Sequence, residues 1–338
     1  MRLAPIPAAR LSLVASTALS ATYPTSLKLL YAAEGAPLSP SIILTVRFIM
    51  MAAIAQLVLQ STEDLRTQSS GFVGAAAELG FWAWAGALCN TAGLQQSSAV
   101  HGILLLSTIN ILTPTLTRVI GTSEARRALD SRTWIACIIA LVSTVLTLSG
   151  EATAAAATSP ITALSLSHGD ELILCAACCY ATQQVRLGSL VAKYPPQPLA
   201  AARLQAQAVC SIACLGLSSG GGDGGGMMIN NSAGEIVLRM SDWTSHLTPV
   251  QASVLIFSAL SSVGGTLLQY QGQRLIPAAS AQPIYALSPL LGSMWACLVL
   301  HESISSSEVY GGLGITAAAL LAATAQGGEV GEESRGAS

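Results

Sequence analysis

Apolar segments of about 20 residues recur along this chain from one end to the other. A helix needs about 20 residues to cross the hydrocarbon core of a bilayer, whereas barrel strands are about half as long and alternate in polarity. The segments therefore predict an all-α membrane protein. Its ten transmembrane helices are expected at residues 11–31, 41–60, 72–94, 98–120, 133–150, 170–192, 197–217, 249–270, 279–300 and 307–325.

The composition agrees with burial in lipid. Only 9% of the residues are charged and 52% are hydrophobic, while a soluble chain is usually about 25% charged. The net charge of −2 gives no electrostatic basis for binding nucleic acid. The composition therefore indicates a multi-pass integral membrane protein in contact with the lipid bilayer.

The positive charges predict the orientation. Arg and Lys residues outside the predicted spans fall almost entirely on one side, which indicates that both termini face the cytoplasm or the equivalent compartment of an organelle. The start "MRLAPIPAAR" is similar to that of a signal peptide, but its apolar run continues through Lys28, so a retained first span is expected. The membrane is left open among the plasma membrane, the vacuole and the plastid envelope.

The sequence repeats itself. A shift of 158 residues superimposes Lys28 on Arg186, and a shift of 179 residues superimposes Gly86 on Gly265. The difference is an insertion of 21 residues in a glycine-rich loop at 218–248, which contains "SSGGGDGGGMMINNSAG" and no Walker lysine. The chain is therefore interpreted as a duplicated unit of five spans.

This duplication predicts the domain organisation. The first repeat occupies residues 10–150, a linker 151–169, the second repeat 170–325, and a polar C-terminal tail 326–338. Because five is odd, the second copy must enter the membrane from the opposite side. Two inverted five-helix repeats are typical of secondary transporters, whose substrate site lies near the midplane between the halves.

Two stretches carry a family resemblance. "ELGFWAWAGALCNTAGLQQSSAVHGILLLSTINILTPTLTRVIG" (78–121) resembles spans 3 and 4 of an EamA-type repeat, and residues 267–322 are similar to the same region, with Pro289 and Glu302 retained. The first copy departs from the pattern, because Asn110 stands where the mid-span proline is expected. The resemblance is closest to plant and algal EamA-like proteins. It implies a ten-helix carrier of the drug/metabolite transporter superfamily.

Apart from Arg118 at the end of the fourth span, four cations lie within predicted spans, namely Lys28, Arg47, Arg186 and Arg203. Charged groups inside a membrane are costly, about 3 kcal/mol on insertion scales, and tend to be functional. They are substrate-binding candidates, and their charge favours an anionic substrate. The alternative is a structural role, with Lys28 and Arg186 reaching the interface or forming an ion pair, and with Glu78 as a candidate partner of Arg47 or Arg203.

Neutral polar residues and prolines complete the candidate set. The polar groups either bind substrate or form hydrogen bonds between helices; they are Asn90, Asn110, Gln183, Gln269 and Tyr285. A proline inside a span leaves a backbone carbonyl without its donor, which is tolerated beside protein or a water-filled cavity. Helix bends at such positions are expected at Pro24, Pro114, Pro283 and Pro289.

The sequence thus predicts a carrier of a small organic metabolite that works by alternating access. A sugar-phosphate or nucleotide-sugar exchanger of the same superfamily is the first alternative, and a membrane scaffold or receptor that transports nothing is the second. No catalytic residue, cofactor or metal site is expected, because a His-Glu-x-x-His pair is absent and the four histidines are scattered. The pattern predicts no particular oligomeric state.

Overall fold

The computed structural model describes residues 5–32, 40–59, 70–97, 99–121, 167–218, 247–276, 281, 284–285 and 287–301, with short pieces between 135 and 143 and between 306 and 321. The described residues form helices and no strand, which confirms the all-α class. The helices are α1 (Pro5–Ser20), α2 (Tyr23–Ala32), α3 (Pro40–Leu59), α4 (Ser70–Gln95), α5 (Ala99–Leu106), α6 (Ile109–Ile120), α7 (His168–Leu190), α8 (Pro196–Ser218), α9 (Pro249–Gln273) and α10 (Leu287–Leu300).

Four of these helices are long and apolar enough to cross a bilayer by length and composition. They cover Pro40–Val58, Ser70–Gln95, Pro196–Gly216 and Pro249–Gln273, with mean hydropathies of 2.0, 1.3, 1.3 and 1.5. Each begins and ends within a few residues of its predicted span. This agreement follows from length, because an apolar run of this size cannot satisfy its backbone in lipid except as a helix.

Two predicted spans are each divided into two helices. The first is α1 and α2, separated by a turn at residues 21–22, and the fourth is α5 and α6, separated at residues 107–108. Most of the fifth span and about half of the tenth lie outside the described residues. The linker 151–169, the glycine-rich loop and the tail 326–338 also lie mostly or wholly outside them.

Two helix starts are fixed by polar side chains. Before α7, the Ser167 hydroxyl accepts from the backbone N–H of Asp170, whose carboxylate accepts from the N–H of Ser167. Thr248 and Gln251 form the same reciprocal pair before α9. These capping boxes satisfy N–H groups that have no partner within the helix, and so they set where the second half's helices begin.

Glycines allow the closest approach between helices. A Cβ on Gly93 of α4 would lie 2.7 Å from the backbone oxygen of Gly169 in α7, and one on Gly272 of α9 would lie 3.1 Å from that of Ala9 in α1. Small residues at such contacts let membrane helices pack without a hydrophobic driving force. The two glycines are the pair that the 179-residue shift superimposes.

The helix contacts form corresponding pairs. Under the repeat, α1 with α2 corresponds to α7, α3 to α8, α4 to α9, and α5 with α6 to α10. The packing of α4 on α7 then corresponds to that of α9 on α1, and α8 on α4 corresponds to α3 on α9. Because the repeat exchanges α3 with α8, the contact between these two helices corresponds to itself. Helices from both halves therefore surround a common centre.

Candidate functional site

A cavity of about 250 Å³ lies at this centre, and helices of both halves line it. Eight of the sequence candidates line it: Pro24, Arg47, Asn90, Asn110, Gln183, Arg203, Gln269 and Tyr285. Lys28, Arg186 and Pro114 are not among the lining residues. Pro289 lies in the first turn of α10, where its side chain is outside the description, and Pro283 lies outside the described residues.

Arg47 is anchored to α9 and to the first helix pair. Its Nε donates to the Ser258 hydroxyl at 2.9 Å, and one terminal nitrogen donates to the Ser262 hydroxyl. Its guanidinium lies over the Tyr23 ring, 4.2 Å from the centroid. Only 5% of Arg47 is exposed, so these contacts replace much of its hydration.

Arg203 has fewer contacts. One terminal nitrogen lies 3.5 Å from the Thr266 hydroxyl, and the guanidinium lies 5.9 Å from the centroid of the Tyr270 ring. Its Nε has no hydrogen-bond partner among the described residues, although only 8% of the residue is exposed. An unsatisfied donor on a buried cation is unfavourable, so this group is suited to a partner that enters the cavity.

The charge of the cavity is positive in the part that the structure describes. The described lining residues include Arg47 and Arg203 and no Asp or Glu. The two guanidinium groups also lie close enough to repel one another. An anion between these helices would relieve that repulsion, because electrostatic interactions are strong where water is scarce.

Three buried amides supply further hydrogen-bonding groups. Both amide atoms of Asn90, Nε2 of Gln183 and Oε1 of Gln207 lack partners among the described residues. All three side chains line the cavity and are at most 4% exposed. Leaving such groups unpaired costs about 1–3 kcal/mol each, so a bound solute or water is expected to pair with them.

Arg186 and Glu78 form an ion pair between α7 and α4. Nη2 of Arg186 donates to Oε2 of Glu78 at 2.9 Å, while Nε donates to the other carboxylate oxygen. Glu78 was a candidate partner of Arg47 or Arg203, and that expectation was wrong, because Glu78 is bonded to Arg186. The structural ion pair considered for Arg186 is what is observed. Lys28 is partly buried on α2, away from the lining.

Two prolines of the candidate set differ in their effect on the backbone. Pro24 lies in the first turn of α2 and Pro114 lies inside α6. Because proline has no N–H, Pro114 leaves the carbonyl of Asn110, four residues earlier, without its helical donor, whereas Pro24 in the first turn of α2 removes no helical hydrogen bond. Asn110 lines the cavity, so Pro114 adds an acceptor to its wall.

Sequence reasoning missed several lining residues, among them Ser262 and Thr266 of α9 and Gln207 of α8. A signal for the first two was present. The 179-residue shift places Ala83, Ala87 and Asn90 on Ser262, Thr266 and Gln269, and all six line the cavity. Gln207 follows Arg203 by one helical turn, which places the two on one face of α8.

The segment "CAACC" of α7 contains Cys175, Cys178 and Cys179. Cys89 of α4 lies 3.9 Å from Cys175 of α7, measured between the sulfur atoms. Among the residues that the structure describes, no group of three or more His, Cys, Asp or Glu side chains is arranged to hold a metal ion. These cysteines lie at the contact between α4 and α7, apart from the cavity lining.

Comparisons with known proteins agree with this architecture. A solved crystal structure of a protein 13% identical in sequence has a similar fold, with a TM-score of 0.61, and the alignment covers 93% of this chain and 96% of that one. No curated protein matches the sequence. The model of the EamA-like transporter family matches residues 167–324. The predicted resemblance to EamA-type transporters is thereby confirmed over residues 167–324.

Proposed function

We propose that this protein is a secondary carrier that moves a small anionic organic metabolite across a membrane by alternating access. The observation that carries the proposal is the cavity between the two halves, which has two buried arginines and no acidic residue among its described lining. The carrier would use a solute gradient or exchange, since the sequence offers no nucleotide-binding motif. The bilayer and the solute are its partners in this proposal.

The correspondence between the halves supports ten spans in two inverted five-helix repeats, at residues 10–150 and 170–325. Helix contacts occur in matching pairs, and equivalent positions of α4 and α9 line the same cavity. Two such halves can exchange conformations, which opens the shared site first to one side and then to the other. In this arrangement both termini face the cytoplasmic side.

The repeat can be tested by labelling. The turns after α4 and after α9 are equivalent in the two copies, and Gln96 and Arg274 are exposed there. If the copies are inverted, Gln96→Cys reacts with an impermeant maleimide from outside intact cells, whereas Arg274→Cys reacts only after the membrane is permeabilised. Labelling of both residues from the same side would contradict the inverted repeat.

The cavity size distinguishes between substrate classes. Its volume of about 250 Å³ is below the range of about 300–1,000 Å³ that drug-sized ligands occupy. This favours a metabolite of few heavy atoms over a nucleotide sugar. A sugar phosphate remains a second candidate, because two arginines can also neutralise a phosphate. A scaffold that transports nothing would not require buried polar groups around a central cavity.

Flux measurements test the carrier. The purified full-length chain in liposomes is expected to exchange internal and external small carboxylates saturably, with neutral and cationic solutes of equal size excluded. Arg203→Gln is expected to raise the KM about tenfold or more, because a charge-assisted contact is lost. Lys193→Gln, which removes an exposed cation between α7 and α8, is the matched control and leaves KM unchanged. Absence of saturable flux of any organic anion would refute the proposal.

A further inference from the structure

We propose that Arg203 and Gln207 of α8 together bind a 2-hydroxycarboxylate, with the carboxylate on Arg203 and the neighbouring hydroxyl on Gln207, whereas Arg47 is a positioning residue that holds the cavity wall. This inference rests on the proposed carrier function and makes it more specific. It assigns different roles to two arginines that the repeat places in corresponding helices.

The contacts of Arg47 leave few of its guanidinium donors available to a solute. Two of its nitrogens donate to Ser258 and Ser262 of α9, and the Tyr23 ring covers the guanidinium at 4.2 Å. Any movement toward a solute would break hydrogen bonds to a charged group, which are worth about 1.5–3 kcal/mol each. Arg47 therefore joins α3 to α9 and fixes the positive charge of the wall.

Arg203 is in the opposite situation. Apart from the Tyr270 ring, it has a 3.5 Å contact to the Thr266 hydroxyl, and its Nε has no hydrogen-bond partner in the described part of the chain. A carboxylate is the ligand whose planar oxygens fit a guanidinium best.

Gln207 supplies an acceptor beside this donor. It follows Arg203 by four residues, so the two side chains project from neighbouring turns of one helix face, with Cβ atoms about 5–6 Å apart. Its Oε1 has no hydrogen-bond partner among the described residues, and the side chain is only 3% exposed at the cavity. A donor cation next to an acceptor matches an anion that carries an O–H or N–H on the adjacent carbon.

The charge of the cavity favours the hydroxyl over an ammonium group. Arg47 and Arg203 are both positive, and no carboxylate is present among the described lining residues to balance a third cation. A 2-amino acid would bring its ammonium next to these groups, where like charges repel strongly at low dielectric. A hydroxyl can donate the same hydrogen bond to Gln207 without that repulsion.

A binding experiment on the full-length chain in detergent tests the assignment, with three probes of one carbon skeleton. They are 2-hydroxyisocaproate, isocaproate without the hydroxyl, and leucine with an ammonium group. By isothermal titration, the hydroxy acid is expected to bind about tenfold more tightly than isocaproate, because a site built for a hydroxyl leaves its acceptor unpaired with the analogue. Leucine is expected to bind more weakly than isocaproate.

Variants separate the roles. Gln207→Leu is expected to bring the affinity ratio of hydroxy acid to isocaproate to about one, because isocaproate then leaves no acceptor unpaired. Arg203→Gln is expected to weaken both acids about tenfold or more, while Arg47→Gln lowers the Tm and leaves the ratio as in the wild type. Gln205→Leu is the matched control, since Gln205 is an exposed glutamine of the same helix, bonded to Gln56.

Distinct results would overturn the inference. Equal affinity for the hydroxy acid and isocaproate, tighter binding of leucine, or a ratio unaffected by Gln207→Leu would each refute it. In those cases carboxylates still bind, so the anion carrier itself would stand. Absence of binding of every carboxylate, together with absence of flux in liposomes, would instead refute the carrier proposal and this inference with it.

Discussion

The contact between α4 and α7 provides a sharp test of the packing, through the substitution Gly93→Ala. The added Cβ would lie 2.7 Å from the backbone oxygen of Gly169 and 2.6 Å from Cγ1 of Ile173. The isoleucine can change rotamer, but the backbone oxygen cannot move without its helix. The two helices must therefore separate by several tenths of an ångström.

The expected magnitude follows from two opposing effects. Overpacking of a well-filled contact costs about 1–3 kcal/mol, and the fixed backbone oxygen places Gly93 at the upper end of that range. Replacing glycine by alanine inside a helix returns about 0.5–1 kcal/mol. The net loss is about 2 kcal/mol, which corresponds to a fall in Tm of about 3 °C for a chain of 338 residues.

Thermal unfolding in detergent, followed by fluorescence-detected size exclusion, measures this loss. Gly74→Ala is the matched control, because Gly74 lies on the same helix and a Cβ there would meet nothing within 4 Å. Gly272→Ala is expected to fall between the two, since its nearest backbone contact is longer, at 3.1 Å from the oxygen of Ala9. A Gly93→Ala protein with the Tm of the Gly74→Ala control would show that the helices are not in close contact.

Two further predictions concern the same pair of helices. Glu78→Gln removes the carboxylate that pairs with Arg186. Because both side chains are about one-third exposed, the free energy of unfolding is expected to fall by about 0.5–1 kcal/mol, measured as a lower Tm. The KM for carboxylate flux is expected to stay unchanged, because neither residue lines the cavity. An altered KM would contradict that placement. Mild oxidation is expected to form a disulfide between Cys89 and Cys175, whose sulfur atoms lie 3.9 Å apart. If the chain is then cut by a protease between these two residues, the fragments are expected to stay linked until a reductant is added. Fragments that separate without reductant would show that the two sulfurs do not meet.

Much of the fold could be predicted from the sequence, because lipid leaves few choices. An apolar run of about 20 residues must close its backbone hydrogen bonds within itself, so the helices α3, α4, α8 and α9 follow from composition and length. The turns that divide the first and fourth spans were only partly predictable. Pro24 and Pro114 indicated bends, but the turns lie at residues 21–22 and 107–108, where local hydrogen bonding decides their position.

The site was predictable where a residue type is costly in lipid, and unpredictable where partners decide its role. Burial of a charge marked Arg47 and Arg203 correctly as unusual residues, and both line the cavity. The same criterion marked Arg186, which is bonded to Glu78 instead. The distinction depends on which side chains lie across the helix contact, and spacing along one helix does not contain that information.

The asymmetry between the halves carries the most specific information about function. Where the copies agree, as at Gly93 and Gly272, the residues maintain contacts that both halves need in order to fit together. The two arginines differ in their contacts, because Arg47 donates to two serines of α9, whereas Nε of Arg203 has no hydrogen-bond partner among the described residues. A symmetric pair of arginines would hold an anion equally from both sides, whereas one fixed and one available guanidinium would orient it. In the proposed duplicated carrier, selectivity would therefore depend on the positions at which the repeat is broken.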